Sequence, residues 1–92
     1  MQVNLYATFR LQAGVRRFEL ELPTGTTLQN AIKAIVFHYP VLHQHWLDED
    51  GFLYAHVHAF INGTDAGTLP DGLDTPLKTD DVLDFFPPVA GG

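Results

Sequence analysis

The sequence contains no cysteine, which excludes disulfide bonds, thiolate metal sites and cysteine nucleophiles. Basic residues are also scarce: five lysines and arginines stand against eleven acids, for a formal net charge of -6. Nucleic acid and anionic membranes are therefore disfavoured as main partners, and a basic protein surface is the better electrostatic match. No apolar run approaches the roughly 18 residues that cross a bilayer, and Met1 leads into a strand pattern without a signal peptide. We expect a cytoplasmic protein.

The composition is that of one small folded domain. The chain has 92 residues, of which 46% are hydrophobic and 17% are charged. A chain of this size buries roughly 60–65% of its unfolded surface, which is enough for one modest core. No internal repeat, low-complexity stretch or domain linker divides the sequence.

The N-terminal part of the sequence alternates between apolar and polar residues, as a half-buried strand does. The first alternating segment covers residues 3–9 and the second covers residues 17–22. Residues 12–14 supply a turn between them. Because so short a link cannot make a crossover, the two segments predict an antiparallel hairpin.

A helix is predicted for residues 27–38. Thr26 or Thr27 is a suitable N-cap, and Pro40 ends the helix because its ring disfavours helical geometry at Tyr39. Apolar residues recur at helical spacing and share one face: Leu28, Ala31, Ile32, Ile35, Val36 and Tyr39.

Shorter elements follow the helix. Leu42, Trp46 and Leu47 could form a helical turn that caps the core, and residues 48–51 are typical of a solvated turn. The remaining pattern predicts, in order, a strand at residues 56–61, a tight turn at Asn62-Gly63, a loop with one helical turn at residues 64–80 and a last strand at residues 82–86. A right-handed crossover packs the helix across a mixed sheet, with the last strand parallel to the first. This arrangement predicts an α+β protein with a β-grasp domain in residues 1–86.

Residues 87–92 are predicted to form an extended C-terminal tail. Pro87 and Pro88 cannot extend a sheet ladder and favour polyproline geometry, so they direct the tail away from the domain. The four residues after them reach about 13–14 Å when fully extended: Val89, Ala90, Gly91 and Gly92. Because the two glycines lack Cβ atoms, the tail could enter a channel too narrow for other residues. Such features are typical of a terminus delivered into the active site of another protein.

The sequence Phe85-Phe86-Pro87-Pro88-Val89-Ala90-Gly91-Gly92 resembles the C-terminal signature of the small, sulfur-carrying subunit of molybdopterin synthase. It is also similar to the tails of the archaeal small modifier proteins. The order of the strand pair, the helix and the strand before Asn62-Gly63 is similar as well, so the resemblance covers nearly the whole chain. The fold that it implies is the ubiquitin-like β-grasp.

The resemblance also implies a chemistry for Gly92. A ubiquitin-activating-type enzyme uses ATP to adenylate the carboxylate of Gly92, and sulfur from a sulfurtransferase then displaces AMP to give a thiocarboxylate. In that family the tail inserts into the large subunit of molybdopterin synthase and supplies the sulfur of molybdopterin. The small subunit itself binds no cofactor, and the catalytic groups belong to its partners.

Other functions remain open at this stage. In the first, the activated Gly92 is joined to lysines of other proteins, so that the chain is a covalent modifier; Lys33 and Lys78 are its own possible acceptors. In the second, the sulfur serves tRNA thiolation or thiamine synthesis. In the third, the chain is a β-grasp binding module that is never activated, and removing Gly92 would leave its function intact.

Phe60 and Phe86 are the candidate partner interface. In regular strands they face away from the apolar residues of the core and would form an exposed apolar patch on the sheet, where partners of the family dock. The alternative is that a register error, or cover from Trp46 or Phe52, buries them.

Histidines and acids complete the candidate residues. The histidines are His38, His43, His45, His56 and His58. They match no zinc spacing, so we predict no metal site. The acids are clustered at residues 48–50 and 80–84 and are typical of solvated turns, although those near the tail could steer it towards a basic partner.

Overall fold

The computed structural model describes residues 1–88, so the predicted site residues Val89, Ala90, Gly91 and Gly92 lie outside the described residues. The strands are β1 (Gln2–Leu5), β2 (Arg17–Glu19), β3 (His58–Ile61), β4 (Thr64–Asp65) and β5 (Val82–Phe86). The helices are α1 (Ala7–Ala13), α2 (Leu28–His38) and α3 (His43–Trp46), and short 3-10 turns cover Pro40–Leu42, Ala66–Thr68 and Gly72–Asp74. No helix in residues 1–88 is long and apolar enough to cross a membrane.

The strands form one mixed sheet in the order β2-β1-β5-β3-β4. The first strand, β1, pairs antiparallel with β2 and parallel with β5. On the other side of β5, β3 runs antiparallel to it and continues into β4. The predicted mixed sheet, with the last strand beside and parallel to the first, is confirmed.

Helix α2 follows the predicted pattern closely. Its N-cap is Thr27, whose side-chain oxygen accepts a hydrogen bond from the Asn30 amide at 3.2 Å. Its apolar face belongs to the same buried cluster as the inner residues of the sheet. The helix ends before Tyr39, whose ring packs on Phe18 with 4.9 Å between ring centroids.

The link between β1 and β2 differs from the prediction. The first strand ends at Leu5, and residues 7–13 form α1 in place of a strand end and a turn. An alternating pattern over only seven residues fits a short helix as readily as a strand. In either conformation Phe9 can be buried, and here it is buried by the helix. Gly14, at φ 78°, takes the left-handed conformation that closes α1, and its amide bonds the Arg10 carbonyl oxygen. The predicted hairpin link was wrong, although the antiparallel pairing of the two strands is confirmed.

The segment after Pro40 forms the predicted helical turn. Leu42 and Trp46 are fully buried, and the Trp46 ring lies against Phe85 at 4.5 Å and edge-on to Phe9 at 5.4 Å between ring centroids. The next turn is closed by Asp48, whose Oδ1 accepts hydrogen bonds from two backbone amides. Trp46 therefore fills the core beneath the sheet.

The predicted turn at Asn62-Gly63 joins β3 and β4. Both residues have positive φ, 51° and 84°, as a tight hairpin turn of this kind requires. The Asn62 amide side chain also donates to Asp81 Oδ1 at 2.8 Å and accepts from the Val82 amide at 2.8 Å. These bonds fix the start of β5 against the end of β3. The predicted strand at residues 56–61 begins at His58. The predicted loop at residues 64–80 begins instead with the two residues of β4, and it holds two 3-10 turns where one was expected.

Candidate functional site: the outer sheet face and the start of the tail

The two faces of the sheet have different compositions. On the inner face, alternate residues of β1, β3 and β5 are buried: Val3, Leu5, Ala59, Ile61, Leu83 and Phe85. The residues between them are half-buried or exposed and form the outer face. A partner can therefore reach the central strands only from the outer face.

Phe60 and Phe86 lie on this outer face, as their place in the strand pattern predicted. Their rings meet edge-on, with centroids 5.4 Å apart, and both are half-buried. Neither proposed cover applies, since Trp46 belongs to the core and Phe52 is 58% exposed. Whether a partner binds here stays a prediction.

Tyr6 extends this pair and was missed by the sequence reasoning. Its ring stacks on Phe86 with centroids 4.2 Å apart, and its amide donates to the Phe85 carbonyl oxygen at 3.3 Å. The three residues Tyr6, Phe60 and Phe86 are called the aromatic face below. The alternation of the first strand put Tyr6 on the polar side, but only the parallel β1–β5 pairing brings it to Phe86.

Asp84 lies beside the aromatic face and is held by two hydrogen bonds. Its Oδ1 accepts from Asn4 Nδ2 at 2.8 Å and from the Tyr6 hydroxyl at 3.2 Å. Partial burial of Tyr6, followed by the charge and the hydrogen bond of Asp84, raises the pKa of the Tyr6 phenol. The outer face therefore combines an apolar surface with one fixed carboxylate.

Replacing Asp84 with asparagine is expected to lower the pKa of Tyr6, because it removes the carboxylate's charge while burial remains. The unfolded chain loses the Tyr6 proton before the folded chain does, so the free energy of unfolding falls as the pH rises past the ordinary phenol value. That fall should be smaller in Asp84→Asn. An NMR titration of the Tyr6 ring measures the pKa directly, and equal values in the two proteins would contradict this account.

The described part of the predicted tail, Pro87 and Pro88, begins directly after Phe86 of the aromatic face. Strand β5 ends at Phe86, which pairs with His58. Pro87 is half-buried and Pro88 is exposed. Because proline has no amide hydrogen to donate, the strand ladder does not continue through these two residues.

The histidines do not gather into a ligand set. His43 and His45 lie on α3, His58 lies on the outer face, and the ring of His56 stacks on Tyr54. Within residues 1–88, no three side chains of histidine, cysteine, aspartate or glutamate are placed to hold a metal ion.

Comparison with known proteins gives consistent matches over all or nearly all of the chain. The profile of the ThiS family matches residues 3–92. Small archaeal modifier protein 1 of Haloferax volcanii is 32% identical over 92 residues, which cover 100% of both chains. A crystal structure of SAMP1 from Haloferax volcanii has a TM-score of 0.89 at 31% identity, over 99% of this chain and 97% of that one. The putative molybdopterin converting factor subunit 1 of Pyrococcus furiosus has a TM-score of 0.74 at 33% identity, over 96% and 95%.

Proposed function

Because the chain belongs to the ThiS family of ubiquitin-like sulfur carriers and modifiers, we propose that Gly92 is converted to a thiocarboxylate that donates sulfur in molybdopterin biosynthesis. The observation that carries this proposal is the match over residues 3–92, which includes the Gly91-Gly92 tail. The choice of molybdopterin rests on the Phe-Phe-Pro-Pro approach to that tail. The 33% identity to a putative molybdopterin converting factor subunit supports it.

The proposed chemistry takes place at one carbonyl carbon. The Gly92 carboxylate attacks ATP in a ubiquitin-activating-type enzyme, which forms an acyl adenylate and releases pyrophosphate. A sulfurtransferase carries the sulfur as a persulfide, a thiol reductant supplies two electrons that release it as hydrosulfide, and the hydrosulfide attacks the carbonyl carbon to form the C–S bond as AMP leaves. We assign the catalytic groups of both steps to these partner proteins, and no cofactor to this chain. Because this series of reactions consumes ATP, we expect it to take place in the cytoplasm.

We assign the two parts of the chain different tasks. Residues 1–86 form the domain that docks through the aromatic face, and residues 87–92 form the tail that enters the partner's active site. The position of Phe86 supports this division, because it belongs to the aromatic face and directly precedes Pro87. The large subunit of molybdopterin synthase would receive the same tail after sulfur loading.

A second function is supported by the identity to small archaeal modifier protein 1. In that function, a lysine amine of another protein attacks the Gly92 acyl adenylate, an amide bond forms and AMP leaves. On this chain Lys33 and Lys78 are exposed and could serve as acceptors. Both functions need the same adenylate, so they differ only in the nucleophile. Sulfur supply for tRNA thiolation or thiamine would likewise use the same thiocarboxylate.

The two functions are separated by following the fate of the loaded chain. We would incubate the sulfur-loaded chain with the large subunit of molybdopterin synthase and the pterin precursor. We expect molybdopterin to appear as the thiocarboxylate returns to a carboxylate. No molybdopterin, together with heavier species joined to lysines through Gly92, would favour the modifier. A chain without Gly92 is the control, since it should do neither.

A further inference from the structure

Three of the five basic residues of this acidic chain line one shallow depression. Arg10, Arg16 and Arg17 surround a hollow of about 370 Å³ at the end of β1. The other lining residues are Gln2, Asn4, Leu5 and Tyr6. The three residues Arg10, Arg16 and Arg17 are called the arginine cluster below. In a chain with a formal net charge of -6, this is a marked local excess of positive charge.

Backbone contacts hold the arginine cluster around Leu5. From α1, Arg10 Nε donates to the Leu5 carbonyl oxygen at 3.4 Å. The Leu5 amide in turn donates to the Arg16 carbonyl oxygen at 2.9 Å. Arg17 is the β2 partner of Asn4 and so lies on the outer face of the sheet. The unexpected helix α1 is therefore what brings Arg10 back beside the other two.

The guanidinium groups are not neutralised within the described chain. In residues 1–88, none of the three arginines lies within 4.0 Å of a carboxylate oxygen; the one such contact joins the Met1 amino group to Glu19. The nearest outer-face acid, Asp84, accepts its hydrogen bonds from Asn4 and Tyr6. Arg16 and Arg17 are exposed, and Arg10 is half-buried. The sequence contains eleven acidic residues, yet within the described residues none of them forms an ion pair with the arginine cluster.

The arginine cluster is continuous with the aromatic face. Tyr6 belongs to both, because it lines the hollow and stacks on Phe86. The parallel register of β1 and β5 pairs Leu5 with Phe85, so the cluster lies at the end of the sheet where β5 ends. A protein that covered the aromatic face and received the tail would also contact these arginines.

We propose that the arginine cluster docks on a carboxylate-rich surface of the enzyme that adenylates Gly92. This inference rests on the proposed function. Guanidinium groups bind carboxylates through paired hydrogen bonds, which gives direction as well as attraction. A protein surface fits better than a free anion, because Arg16 and Arg17 are exposed on an open face adjoining an apolar surface. The cluster then sets the orientation in which the tail is presented. Its local attraction to carboxylates offsets the repulsion between the acidic chain and an acidic partner surface.

The test compares two charge reversals that change the net charge equally. Arg16→Glu with Arg17→Glu, and Lys33→Glu with Lys78→Glu, each change the formal net charge from -6 to -10. The adenylating enzyme is titrated with each variant, and ATP–pyrophosphate exchange, which follows adenylation alone and involves no acceptor lysine, is measured over a series of salt concentrations. We expect kcat/KM to fall at least about tenfold further in the arginine pair than in the lysine pair, with kcat nearly unchanged, because docking is weakened and chemistry is not.

Equal losses of kcat/KM in the arginine pair and the lysine pair, or no loss in either, would overturn the proposed docking site. The wild-type chain and a chain without Gly92 are run beside them. If the wild-type chain is adenylated and the shortened chain is not, the proposed function survives whatever the arginine pair does. Because all four substituted side chains are exposed, unfolding curves of both pairs should match the wild type within about 0.5 kcal/mol.

Discussion

Replacing Trp46 with alanine is expected to lower the free energy of unfolding by about 3–5 kcal/mol. Trp46 is fully buried and packs its ring against both Phe85 and Phe9. Small domains are stable by only about 5–15 kcal/mol, so this one truncation should remove much of the total. The loss would be large because the ring packs α3 against both α1 and the inner face of β5.

The measurement is a urea unfolding curve followed by far-UV circular dichroism. Fluorescence is unsuitable because Trp46 is the only tryptophan in the chain. Phe52→Ala is the matched control, since its ring is 58% exposed and its loss should cost about 0.5 kcal/mol or less. Trp46→Phe should cost less than Trp46→Ala because it keeps a ring in the core. A cost for Trp46→Ala below about 1 kcal/mol would contradict the described core.

Replacing Phe60 with alanine is expected to weaken docking on the adenylating enzyme by about thirtyfold, as loss of an aromatic interface contact of about 2 kcal/mol does. Phe60 is half-buried and contacts Phe86 edge-on, so the exposed part of its ring supplies apolar area at the β3 side of the aromatic face. The domain should remain folded, because the inner face of β3 is unchanged. Activation of Gly92 at low chain concentration should fall in proportion to the affinity.

Phe37→Ala is the matched control for Phe60→Ala. It makes the same chemical change on α2, where Phe37 is 81% exposed and lies outside the aromatic face. Affinity measured by titration calorimetry should be nearly unchanged in this control. Equal weakening of binding by Phe60→Ala and Phe37→Ala would show that the aromatic face is not the interface. A loss of binding that matches a loss of stability would show the same.

The elements that could be predicted from the sequence are those whose signals are local. Helix α2 has a cap at Thr27, an apolar face with helical spacing and a proline after its end. The turn at Asn62-Gly63 needs positive φ at both residues, and few sequences suit it better. The strand Val82–Phe86 alternates cleanly, which also places Phe86 on the outer face.

The features that escaped prediction depend on contacts between distant segments. Residues 7–13 are too few to reveal a helical period, and α1 is held by packing of Phe9 on Trp46. The stacking of Tyr6 on Phe86 needs the parallel register of β1 and β5, which joins residues about eighty positions apart. The arginine cluster has the same origin, since Arg10 reaches the other two arginines only because α1 is a helix. Composition gave only the net charge of -6, whereas the fold brings three of the five basic residues together.

The central claim is tested most directly by the intact mass of the chain after incubation with ATP, the adenylating enzyme and a sulfur source. A chain lacking Gly92 is treated in the same way. The account predicts a mass gain equal to the difference between one sulfur and one oxygen atom, present in the full chain and absent from the shortened one. No gain with a demonstrably active enzyme, or the same gain in the shortened chain, would contradict it.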